Sequence, residues 1–308
     1  MKNPNLLVAV GIVFLVVGCE KRVPVVREDV ESVTFSISPM VDQRDENETK
    51  TSVQDDNVTI VWADKDTVGI YPDTGSQVYF ALSSEAGATS VSFDGGGWAL
   101  KPSSTYYSYY PFIGNMYLKR NMIPVSYVGQ KQVGTTRSDH IGPFYFMYTP
   151  GSSSSTGSVN FSYKHLGSLL EIRCILPAGT YTKLAVTAPS EAFTTEGYYD
   201  LTSAEPVIVP TKHSNQMVID LDKVTVTANQ QFYVYLMVAP VDLQGVEITV
   251  SALNSSKAEF QCKKTPSKVY AKNTINGLGC TSWTQVPQSM GLIVEDWGDG
   301  GNIGGDAD

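Results

Sequence analysis

The 308-residue sequence predicts an all-β fold, two tandem β-sandwich domains behind an export segment. Three observations predict it. Short runs rich in Val, Ile, Thr, Tyr and Phe alternate with polar residues, as in Val33-Thr34-Phe35-Ser36-Ile37, Val58 to Trp62, Val78 to Leu82, Phe232 to Val238 and Val246 to Val250. Clusters of Gly, Pro, Asn and Asp separate these runs, as turns require. Sustained 3.6-residue periodicity is almost absent, so helices are not expected to build the core.

The elements follow in chain order. Lys2 gives a positive start, Leu6 to Val17 an apolar stretch and Gly18 a small residue, the pattern of a secretory signal over residues 1–18. The stretch is shorter than the ~20 residues that cross a bilayer, and no comparable run follows. Val16-Val17-Gly18-Cys19 resembles the bacterial lipobox, which implies cleavage before Cys19 and acylation of its thiol. Each buried methylene contributes about 0.8 kcal/mol, so two or three acyl chains on Cys19 would anchor a soluble body to outer-membrane lipid. Residues 19–31 are charged, carry Pro24 and lack alternation, as a tether does.

About 290 residues then remain, enough for two domains. An N-terminal sandwich is expected over 32–150 and a C-terminal one over 158–297. The boundary is placed at Thr149 to Gly157, where Pro150-Gly151 and four consecutive serines interrupt the strands. Ser32-Val33-Thr34-Phe35-Ser36 and Ser158-Val159-Asn160-Phe161-Ser162 echo each other, as if each domain opened on an equivalent strand. The Gly/Asp-rich tail 298–308 buries too little to order itself.

Composition and motifs narrow the function. The net charge of −9 argues against a nucleic-acid partner, which needs clustered Lys and Arg. Besides Cys19 there are Cys174, Cys262 and Cys280, an odd number. They are read as unpaired structural thiols, with a Cys174–Cys262 bridge as the alternative. His140, His165 and His213 lack metal-ligand spacing, and no Cys-x-x-Cys, His-Glu-x-x-His or phosphate loop occurs. Ser168 near His165 lacks a nucleophile elbow and a nameable acid. Asp55-Asp56-Asn57 and Asp64-Lys65-Asp66 read as turns rather than calcium ligands. No catalytic residue, metal or cofactor is therefore expected, and the chain is not expected to be an enzyme. Seventeen tyrosines, with the run Tyr106-Tyr107-Ser108-Tyr109-Tyr110-Pro111-Phe112, are read as packing and cross-strand pairs before a ligand platform.

Five stretches taken together resemble the fimbrillin family, the subunits and anchors of type V pili on Gram-negative anaerobes. They are Thr49-Lys50-Thr51-Ser52; Val61 to Tyr71, with Trp62 and Asp66; Tyr106 to Phe112; Val159 to Ile172, with His165-Leu166; and Gly291 to Gly300. The resemblance implies transthyretin-like or Ig-like sandwiches exported as a lipoprotein and polymerised by strand exchange. A surface protease would cut after a basic residue, Arg44 or as second choice Lys50. The strand Ser32 to Ile37 would then leave with its lipid, vacating the pockets of Val33, Phe35 and Ile37. A donor strand carrying Leu292, Val294 and Trp297 would fill the groove of the next subunit. Implied partners are other pilin subunits and a host or bacterial surface receptor. The implied location is the outer membrane and cell surface, with possible release into a fimbria after cleavage. His165 is read as a satisfied residue of its strand. The alternative function is a monomeric outer-membrane lipoprotein that binds glycans for nutrient uptake, with Trp98 or Trp283 as stacking platforms.

Overall fold

The computed structural model describes residues 32–44, 60–115, 117–135, 138–154 and 158–287. The expected signal segment, Cys19, the tether, Lys50, Leu292, Val294, Trp297 and the tail lie outside the described residues.

The described chain opens with β1 (Ser32–Ile37) and β2 (Val41–Asp42). Then come β3 (Thr67–Pro72), β4 (Val78–Leu82), β5 (Ser90–Val91), β6 (Phe93–Asp94) and β7 (Thr105–Tyr110). β8 (Ile123–Ser126) and β9 (Gln130–Val133) precede a 3-10 turn at Asp139–Phe144. β10 (Met147–Ser153) and β11 (Ser158–His165) follow it. The second half runs through β12 (Ser168–Ile175), β13 (Gly179–Thr187), β14 (Phe193–Tyr199), β15 (Val209–Ser214) and β16 (Gln216–Val226). It ends with β17 (Gln231–Val238), β18 (Ile248–Asn254), β19 (Glu259–Lys264), β20 (Thr274–Cys280) and β21 (Thr284–Gln285).

An eight-stranded sheet, β5-β1-β11-β10-β7-β3-β4-β6, forms the first body. Its two outer strands are separated along the chain by Ser92 alone, so the sheet curls until segment 90–94 pairs with β1 through one half and with β4 through the other. The enclosed core is aromatic. Phe93, Tyr110 and Tyr163 pack edge-on around Trp62, with ring centroids at 4.9, 5.5 and 5.4 Å, and Phe35 packs among Phe93, Phe80 and Phe161.

The second body sets a four-stranded sheet, β17-β12-β20-β2, against a six-stranded one, β21-β19-β18-β13-β16-β9. β16 shows why its sequence is a strand, because Met217, Ile219, Leu221, Val224 and Val226 are buried while the residues between them face outward. β12 reads instead as a nearly continuous apolar run, since it is paired on both sides and buried on both faces. A three-stranded sheet, β15-β14-β8, completes the fold.

Three expectations change. Thr149 to Ser153, read as the start of a domain boundary, lie inside β10, which is bulged between Thr149 and Ser152 and pairs antiparallel with β11 in one sheet, while 155–157 lie outside the described residues. Pro-Gly chemistry marks a β-bulge as readily as a domain boundary. The chain changes sheet at Gly167, where a Cβ would stand 2.8 Å from the Tyr127 hydroxyl and 3.0 Å from the Val238 carbonyl oxygen, so only glycine fits. The halves also interlock, because β2 pairs with β20, β8 with β14 and β9 with β16. Finally, of the expected strand Val58 to Trp62, residues 60–62 carry no ladder. Trp62 is buried from a loop, pinned by hydrogen bonds with Ala88 and Gly87. The three cysteines described are buried free thiols.

Candidate functional site

β1 is seated unevenly. Along one flank it runs parallel to β11 over its whole length, from Ser32 opposite Ser158 to Ile37 opposite Tyr163. Along the other it meets β5 at only Phe35–Val91 and Ser36–Ser90, extended by the Ile37 N–H to the Thr89 carbonyl at 2.9 Å. Alternate residues point inward, as the strand period requires. Phe35 is fully buried, with ring centroids 4.7 Å from Phe93 and 5.0 Å from Phe161, Ile37 is buried, and Val33 is partly covered. Burying one such apolar side chain contributes about 1.5–3 kcal/mol, so Phe35 dominates the seat. The sequence echo has a different meaning from the one expected: Ser32-Val33-Thr34-Phe35-Ser36 lies in register beside Ser158-Val159-Asn160-Phe161-Ser162, so the two are neighbours in one sheet, not the openings of two domains.

Past β1 the chain is clasped to the second body. The Ser38 N–H still donates to the Tyr163 carbonyl of β11, but the Val41 N–H donates to Asn273 and the Gln43 N–H to Ile275 of β20. The Lys268 Nζ donates to the Gln43 carbonyl at 2.6 Å. Arg44 closes the clasp. Its Nη1 donates to the Glu171 carboxylate at 3.0 Å, and its Nε and Nη2 hold Asp42 at 3.0 and 2.7 Å. Arg44 exposes 12% of its side chain and Glu171 6%. Burial pushes the Glu171 carboxyl up, opposed by Arg44, whereas the hydrogen bond from Arg44 holds Asp42 down. A protease that reads the Arg44 side chain must therefore first open this clasp.

His165, at the end of β11, is buried against the Tyr145 ring at 5.5 Å. Neither ring nitrogen has a well-placed partner, although the Ser38 backbone lies close. It is not the satisfied residue expected. Burial lowers its pKa to about 4.

The edge of β17 is treated differently. The Gln130 side chain donates to the Met237 carbonyl at 2.7 Å and accepts from its N–H at 2.8 Å. Gln132 does the same with the Tyr233 carbonyl and the Tyr235 N–H, at 2.7 and 3.0 Å. Two side-chain amides thus satisfy backbone groups that a neighbouring strand would otherwise take.

The remaining candidates resolve individually. Ser168 bonds Thr274 and Asn276 inside the core. Asp66 accepts from the Ala63 N–H and the Tyr110 hydroxyl, which makes Asp64 to Asp66 a turn. In the tyrosine run, Tyr106, Tyr109 and Tyr110 are buried, and Tyr107 lies under the Arg120 guanidinium. Trp98 is 66% exposed, whereas Trp283 packs on the core with its indole N–H on the Cys280 carbonyl. Glu171, Gln130 and Gln132 were not singled out from sequence. A lone carboxylate inside Leu169-Leu170-Glu171-Ile172 was the available signal for the first, since a buried charge needs a partner.

Fold and site together define an all-β sandwich protein whose first strand sits in a largely one-sided seat. No protein-family model and no curated protein matches the chain. Among solved structures it is similar to a "putative cell adhesion protein" from Bacteroides ovatus ATCC 8483, with a TM-score of 0.52 and 12% identity over 85% of this chain and 97% of that one. It is also similar to a "putative cell adhesion protein" from Bacteroides fragilis NCTC 9343, with a TM-score of 0.48 and 10% identity over 87% and 100% of the chains. A fimbrial protein from Bacteroides ovatus ATCC 8483 aligns with a TM-score of 0.36 and 12% identity over 83% of this chain and 49% of that one. At 12% identity the likeness to the first of these, with its TM-score of 0.52, is one of fold, and that fold is the all-β class expected from the sequence.

Proposed function

We propose that the chain is a structural or accessory subunit of a cell-surface fimbria, assembled by strand exchange and contributing to adhesion, with no catalytic role. The observation that carries this reading is the seat of β1, a strand whose replaceable parts are a backbone ladder and two apolar pockets. Both are features that a strand from another chain can reproduce. The solved structure of similar fold, described as a putative cell adhesion protein, supports the same reading.

In this scheme Cys19 carries the lipid that holds the chain at the outer membrane. A cut after Arg44, or at Lys50, frees β1 together with β2 and the clasp. A donor strand presenting Leu292, Val294 and Trp297 from a neighbouring subunit then fills the groove beside β11. Other pilin subunits are the first partners, and a host or bacterial surface receptor is the target of the finished fibre.

Digestion of the full chain with an Arg-specific protease, followed by mass spectrometry, sizing and denaturing gels, tests this. Cleavage at Arg44, loss of β1 and growth into SDS-resistant ladders is the expected result, and Arg44→Ala should abolish it. A cut body that keeps its strand and stays monomeric would favour the glycan-binding alternative, for which the exposed Trp98 is the remaining platform.

A further inference from the structure

Cys262 and Cys280 belong to facing sheets and meet where the chain passes from one sheet to the other. β20 ends at Cys280 in the four-stranded sheet, and the next strand, β21, pairs with β19 in the six-stranded sheet. In that pairing Thr284 lies opposite Gln261, the residue just before Cys262. The short crossover 281–283 therefore draws Cys280 onto β19. Both thiols are buried where β19 and β20 pack against each other. A hydrogen bond between them pulls the Cys262 thiol down and pushes the Cys280 thiol up.

The third thiol is arranged otherwise. Cys174 stands beside Cys280 in register on adjacent parallel strands. Such neighbours lie about 4.8 Å apart with side chains pointing the same way, wider than the ~3.8 Å between Cβ atoms of a disulfide. Its Sγ faces the Ile172 carbonyl of its own strand at 3.7 Å.

We propose that Cys262 and Cys280 are a modification site, joined by an inter-sheet disulfide when the chain meets an oxidant, with Cys174 left as a thiol. The oxidant is itself a disulfide, either a small molecule or the active-site disulfide of an oxidoreductase. The Cys262 thiolate attacks it to form a mixed disulfide and expels one thiol. The Cys280 sulfur then displaces the second, so the two cysteines lose two electrons and two protons and the reagent leaves as two thiols. Both sulfurs are buried in the folded chain, so exchange belongs to folding, before the sheets close, and the finished bond is shielded from reductant.

The test is refolding of the full chain in oxidised and reduced glutathione, then alkylation and trypsin digestion without reduction. Peptide mass spectrometry should find residues 258–263, which hold Cys262, linked to the C-terminal peptide that begins at Asn273, with Cys174 alkylated. Cys174→Ser should give the same link, and Cys262→Ser should leave Cys174 and Cys280 both alkylated. Reductant present during refolding should lower the unfolding midpoint of the natural chain and leave that of the Cys262→Ser/Cys280→Ser chain unchanged. A link through Cys174, or alkylation of all three buried cysteines in the oxidised natural chain, would overturn the proposal.

Discussion

β1 and β17 both lie at the margin of an extensive ladder, yet they are secured by different chemistry. β1 is held by a full parallel ladder on one side, a two-residue ladder on the other and the pockets of Phe35 and Ile37. β17 has a full ladder with β12, and its outer backbone groups are occupied by the amides of Gln130 and Gln132. A backbone ladder can be handed to any strand of matching shape, whereas amide side chains fixed on β9 offer a newcomer nothing to extend. Under the proposed function, the contrast favours β1 over β17 as the strand to be replaced.

The contrast breaks most sharply at Phe35. Phe35→Ala should cost about 3–5 kcal/mol in urea denaturation, the usual range for an emptied aromatic pocket, while Thr34→Ala beside it should stay within about 0.5 kcal/mol. Equal effects would mean that the pocket does not hold the strand.

Acid should loosen the same region through His165. Its folded pKa, about 4, lies below the unfolded value near 6.5, so the folded state binds fewer protons between those limits. The resulting stability is fully present above pH 6.5 and is lost as pH falls towards 4, about 3 kcal/mol in all. His165→Gln should flatten the stability profile over that window. In hydrogen exchange of the natural chain at pH 5, β1 amides should lose protection before those of β12.

Gln130→Leu sharpens the other side of the comparison. It strands the Met237 N–H and carbonyl at a buried edge, which should cost about 1–3 kcal/mol. It should also give β17 an open edge, visible as concentration-dependent association in sedimentation. The smallest effect is expected where no ladder or pocket is touched. Lys263→Ala removes an exposed ion pair with Glu247 and should shift stability by no more than about 0.5 kcal/mol.

The runs read as strands were legible because alternation is a local property of the chain. The bounds of Val78–Leu82 agree with the run read from sequence, and β1 and β17 each begin one residue earlier than their runs. What alternation does not encode is which strands become neighbours. Pro150-Gly151 carries the same local chemistry whether it separates domains or bulges a strand, as it does within β10. Trp62 reads as strand because it is apolar, although it fills the core from a loop. The clasp at Arg44 was hidden for the same reason, since Glu171 lies 127 residues away and only the fold brings it within 3.0 Å. The inward residues of β1, Val33, Phe35 and Ile37, follow from the strand period.

The covalent link between β1 and the rest of the chain adds a quantity that no contact distance shows. A tethered strand competes for its seat at an effective concentration on the order of millimolar, whereas a free strand from another molecule arrives at its bulk concentration. Against a micromolar competitor of equal fit, the chain's own strand is favoured about a thousandfold, equivalent to about 4 kcal/mol. The competitor's fit need not be poor, because Ser158 to Ser162 of any other copy is already nearly the sequence of Ser32 to Ser36. Under the proposed function, connectivity adds to the Phe35 pocket in keeping neighbouring copies out, and one broken peptide bond between β1 and β3 removes the tether's share.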